Sequence, residues 1–103
     1  MKRKILGKEK AQKLLAEVEQ EYVFRCHDGK VLRSMQELGE ALSVMTDETY
    51  SYHWNTEKKD LSNWVSGIIG DKQLARDLEK ADSQSLAAWE VATRMTYLAL
   101  QLH

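Results

Sequence analysis

The chain has 103 residues, enough for one domain with a real but modest core. Charged residues make up 30% and hydrophobic ones 43%, which excludes a disordered chain and fits a soluble globular domain. The formal net charge of −1 withholds the general attraction on which nucleic-acid binders rely, and so argues against a nucleic-acid partner.

Charge is nevertheless uneven at the start of the chain. Lys2, Arg3, Lys4, Lys8, Lys10 and Lys13 stand against Glu9 alone. They read as a tether for phosphate or lipid headgroups or, more simply, as a solvated terminus whose few cations hold an anion weakly. Ile5-Leu6 is cut short by Gly7 and Lys8, so the apolar core of a secretory signal is missing. No run approaches the ~20 apolar residues that span a bilayer. Cys26 is the single cysteine and cannot close an internal disulfide, which makes the cytoplasm the expected compartment.

Ala11, Leu14, Leu15, Val18 and Tyr22 recur at helical spacing and predict an amphipathic helix over about residues 7 to 21. Tyr22 to His27 is rich in strand formers. Asp28-Gly29 then supplies a two-residue turn signal, and Lys30 to Arg33 can return, giving a candidate β-hairpin at residues 22–33. Ser34-Met35-Gln36-Glu37 matches a capping box and opens a helix that turns Met35, Leu38, Leu42 and Met45 inward. Thr46 or Asp47 caps a short helix ending at Tyr52 or Trp54. Residues 55 to 59 are a polar connection, with Asp60 as the next N-cap. Leu61, Trp64, Val65, Ile68 and Ile69 form another stripe, on which Trp64 is expected to be buried against the helix of residues 35 to 45. Gly70 suits a left-handed C′ position, and Asp71 caps the helix of Leu74, Ala75 and Leu78. The whole reads as a mostly α domain, a small bundle of about five helices with that one hairpin.

The last helix starts at Ser83 or Ser85. After Asp82 it carries only Glu90 and Arg94 as charges before His103. Leu86, Trp89, Ala92, Met95, Leu98 and Leu102 lie on one stripe, and Ala88, Val91, Tyr97 and Leu100 widen it. So broad an apolar surface belongs either to a central helix or to one whose spare face meets a partner. Trp89, Tyr97 and Leu100 are the candidate interface, with a second copy of the chain or another protein.

Candidate chemistry concentrates between residues 50 and 71. Tyr52, His53, Trp54, Asn55, Asp60 and Trp64 are costly, directional groups at high density, as in a polar network that holds a turn or a ligand. His53 with Asp60 setting its tautomer could act as a base; more simply, His53 and Asn55 bond the loop. Cys26, His27, His53 and His103 are eligible metal ligands but fall at no metal spacing, and no metal or other cofactor is called for. Cys26 with His53 could form a nucleophile pair, oriented by Asn55 or Asp60, although a buried hydrophobe is the commoner role of a free cysteine. Gly67 to Gly70 is too short for a phosphate loop. Residues 60 to 80 invite a helix-turn-helix reading, but Asp71, Asp77 and Glu79 beside Lys72, Arg76 and Lys80 oppose approach to phosphates.

Leu32-Arg33-Ser34-Met35-Gln36-Glu37-Leu38, Tyr50-Ser51-Tyr52-His53, Asp60-Leu61-Ser62-Asn63-Trp64-Val65 and Gly70-Asp71-Lys72-Gln73-Leu74-Ala75 together resemble an uncharacterised domain family of archaea and bacteria, over about residues 24 to 80. Leu61 departs from the aromatic residue usual in that family after the Asp. The resemblance implies a small, mostly helical domain and no particular reaction. Two functional readings follow. The first is a non-enzymatic module acting by protein-protein association through its C-terminal helix. The second is a small-ligand-binding or catalytic domain with a site around His53, Asn55, Asp60 and Trp64.

Overall fold

Side-chain caps punctuate the chain and fix where four of its helices begin. In the computed structural model, which describes residues 7–103, Ser34 Oγ accepts from the Glu37 N–H and opens α2 (Met35–Val44). Thr46 does the same for α3 (Asp47–His53), Asp71 for α5 (Lys72–Lys80) and Ser83 for α6 (Gln84–Leu100). Each cap satisfies a first-turn N–H that has no partner inside its helix. Glu37 completes the box one residue upstream of the usual place, accepting from the Arg33 N–H at 2.7 Å. Lys2, Arg3 and Lys4 of the basic cluster lie outside the described residues.

Three local expectations need correcting. The first helix, α1 (Lys8–Leu15), stops at Ala16 and does not reach residue 21. Beyond it the Val18 N–H leaves the helical ladder and donates to the Arg33 carbonyl at 2.8 Å. A single 3₁₀ turn, Gln20–Tyr22, follows, and Tyr22 is exposed. The hairpin pairs β1 (Phe24–Arg25) with β2 (Val31–Leu32), Phe24 opposite Leu32. Its loop holds three residues, not two: Gly29 N–H donates to the Cys26 carbonyl while Cys26 N–H donates to that of Lys30. A type I turn closed by a residue in left-handed geometry makes this loop, and Gly29 supplies it with φ of 93°. Finally, α4 (Asp60–Trp64) is preceded by Lys59 at the cap position. Asp60 is its first helical residue, and its carboxylate is engaged elsewhere.

After Trp64 the helix widens into a π segment, Val65–Ile69. The Gly70 and Asp71 N–H groups both donate to the Val65 carbonyl there, and Gly70 reverses the chain at φ of 94°. The wider turn takes Ile68 out of line with Leu61, Trp64 and Val65. Those three are buried and Ile68 is exposed.

The core is gathered from α2, α4, α5 and α6, and α2 packs chiefly on α6. Met35, Leu38, Leu42, Leu61, Leu74, Leu78, Val91 and Leu98 are all under 2% exposed, and burying such side chains contributes about 1.5–3 kcal/mol each. Gly39 lets the two helices close up: a Cβ there would stand 3.1 Å from Val91 Cγ1. Gln84 Nε2 ties the start of α6 to the end of α2, donating to the Leu42 and Met45 carbonyls at 2.8 and 2.7 Å. The inward line of α6 is Ala87, Val91 and Leu98, with Met95 and Tyr97 partly buried beside it. The expected stripe is therefore rotated, because Leu86 and Trp89 face outward. Among the described residues, no helix is long and apolar enough to cross a membrane.

Candidate functional site

His53 ends α3 and is only 4% exposed. Its Nε2 accepts from the His27 backbone N–H at 2.9 Å, and its Nδ1 lies 3.0 Å from Asp60 Oδ2. A backbone N–H only donates, so Nε2 must carry the lone pair and Nδ1 the proton. Asp60 thus sets the tautomer, as the sequence suggests, and the residue it serves is His27 in the hairpin loop. That loop N–H has no ladder partner, and His53 supplies one across 26 positions of sequence.

Aromatic packing surrounds this pair. Phe24 meets the His53 ring edge-on at 4.9 Å, and the exposed Tyr52 ring stacks on His27 at 4.0 Å. Lys58 places its ammonium 3.7 Å from the Tyr52 centroid and 3.7 Å from Asp60 Oδ2. The result is a clasp joining the hairpin tip to α3 and α4. His27 is the member that sequence reasoning leaves out of the site. It weighs His27 only as a metal ligand, and nothing local marks a residue whose main chain does the work.

The structure does not gather all four candidate residues. Asn55 is exposed and serves the 54–59 turn, its Oδ1 accepting from the Glu57 and Lys58 N–H groups and its Nδ2 donating to the Ser51 carbonyl. Trp64 is buried as expected, but its partners lie in and beside the hairpin. Its indole N–H donates to the Tyr22 carbonyl at 2.8 Å and its ring meets Phe24 at 5.6 Å. The 35–45 helix, its expected neighbour, packs chiefly on α6.

The geometry bears on what these groups can do chemically. Both His53 nitrogens are committed, which leaves no free lone pair to take a substrate proton. Cys26 is buried, and burial first and the Asp28 charge second push its thiol up to about 11. A thiol of that kind is protonated at neutral pH and is a poor nucleophile. Among the described residues, no three His, Cys, Asp or Glu side chains converge as a metal site.

The other prominent feature is the outer side of α6. Trp89 is 59% and Leu100 65% exposed. They are three helical turns apart and so lie on one line, with Leu86 beside it. A cleft of about 520 Å³ lies between α2 and α6, lined by Gln36, Gly39, Glu40 and Ser43 of α2 and by Ala88, Ala92, Met95, Thr96 and Ala99 of α6. Tyr97, the third candidate interface residue, is partly buried on the core, with the Arg94 guanidinium 5.2 Å from its ring centroid. Comparison with protein-family models, with curated proteins and with solved structures returns no match to this chain.

Proposed function

We propose that this protein is a non-enzymatic helical module that works by protein-protein association, its first partner being a second copy of itself. The observation that carries the reading is the line of Trp89 and Leu100, large apolar groups more than half exposed on one face of α6. Large apolar groups exposed together on one face are what an interface core is made from. Two copies related by a two-fold axis would set α6 against α6, each strip covering the other's cleft. The single buried thiol suits a reducing compartment, and we take the cytoplasm as the place of action.

Association of this kind moves with concentration. Backbone amide resonances of residues 85 to 100 and the Trp89 indole are expected to shift or broaden as the chain is raised from micromolar to millimolar. Those of the clasp at His27 and His53 should stay fixed. Spectra unchanged along α6 over that range would overturn the reading.

A further inference from the structure

A second cleft, of about 480 Å³, opens on another side of the molecule, where α1, the start of α5 and α6 meet. It is lined by Lys10, Lys72 and Arg76, with Gln73 and the Asp71–Arg94 pair at its wall. Its size falls within the ~300–1,000 Å³ of small-molecule sites. The sequence places Asp71, Asp77 and Glu79 next to these cations, which would cancel them. The fold keeps these acids beyond ion-pair reach of the three cations. Asp71 is 2% exposed and held by Arg94 through Nε at 2.7 Å and Nη2 at 3.1 Å. Asp77 Oδ1 accepts from Gln73, and Glu79 Oε2 accepts from Ser62 Oγ across to α4. Among the described residues, no carboxylate lies within ion-pair distance of Lys10, Lys72 or Arg76. Three exposed cations from two helices, none in an ion pair and Arg76 donating to Gln73 Oε1 at 3.2 Å, therefore line one concavity beside the paired Arg94 and Asp71.

We propose that this cleft binds a small oligoanion of the phosphate class, with Lys10, Lys72 and Arg76 as its ligands. Cations on two helices suit a ligand with several anionic oxygens spread along a chain, since a single compact anion would meet only one side. The site is separate from the α6 strip and does not depend on association.

Calorimetric titration of the full chain with tripolyphosphate at low ionic strength tests it. One saturable site is expected, weakening as salt is added. Lys72→Gln with Arg76→Gln should weaken binding by roughly tenfold or more, the scale of losing a charge-assisted hydrogen bond. Lys8→Gln with Lys13→Gln removes the same charge from α1 outside the cleft and should leave affinity within about twofold. Lys10→Gln, on the other wall, reports the same loss should the α5 pair fold poorly. ADP and pyrophosphate as competitors separate a nucleotide from an inorganic source, and either one displacing tripolyphosphate supports the site. Absence of saturable binding overturns the proposal, as does equal loss in the Lys8/Lys13 control. Duplex DNA binding in preference to tripolyphosphate overturns it too.

Discussion

At the scale of single residues, His53 is buried and held through both ring nitrogens. Its two nitrogens answer two different neighbours, so ¹⁵N NMR should find Nδ1 protonated and Nε2 bare in the folded chain; a protonated Nε2 would contradict the clasp. His53→Ala leaves the His27 N–H without its acceptor and is expected to cost about 1–3 kcal/mol in a denaturant melt, with a further loss from the cavity. Trp64→Ala should cost more, about 3–5 kcal/mol, which a domain with ~5–15 kcal/mol in hand tolerates poorly. Cys26 gives a pH signature. Burial raises its folded thiol from the ordinary 9.0 to about 11, so between those values the folded state holds a proton that the unfolded state has released. Its contribution is full below pH 9 and fades as pH rises towards 11. Cys26→Ala should therefore lose less stability over that window than the parent, and parallel curves for the two would show that the thiol is not buried. What was legible at this scale was the pairing of His53 with Asp60, a link of seven positions within one short segment. What was not was His27, because its contribution is a main-chain N–H exposed by a loop geometry that Gly29 decides.

At the scale of elements, most helix starts were readable because capping is local: the acceptor and the N–H it serves are three residues apart. The end of α1 was not, since the Val18 N–H is taken by Arg33, fifteen positions away. The face of α6 is hard to phase from sequence for a different reason. A helix apolar on most of its surface gives little angular contrast, and its true inward line was chosen by its neighbours, above all by α2 at Gly39. That close approach can be tested. In Gly39→Ala the new methyl meets Val91, a fully buried β-branched side chain with little rotamer freedom in a helix. We expect a loss of about 1–3 kcal/mol, despite the better helix propensity of Ala. Val91→Ala in the same chain should relieve part of it, giving a double-mutant cycle that is not additive; a stabilised Gly39→Ala would mean that α2 and α6 can move apart freely.

At the scale of the whole molecule, the fold leaves two unlike surfaces: a cationic cleft between α1 and α5, and an apolar strip on α6. A helix-dominated circular dichroism spectrum is expected, and a sheet-dominated one would contradict the architecture. The strip carries the functional account, because Trp89 and Leu100 contribute little to the core that would explain their size. Sedimentation equilibrium of the parent chain and of Leu100→Glu, from micromolar to several hundred micromolar, tests that most directly. Leu100 is 65% exposed, so the substitution should leave the protomer folded. A reversible monomer–dimer equilibrium is expected in the parent, and a monomer in Leu100→Glu with an unchanged melt. A parent that stays monomeric throughout, or a dimer indifferent to the charge at position 100, would contradict it.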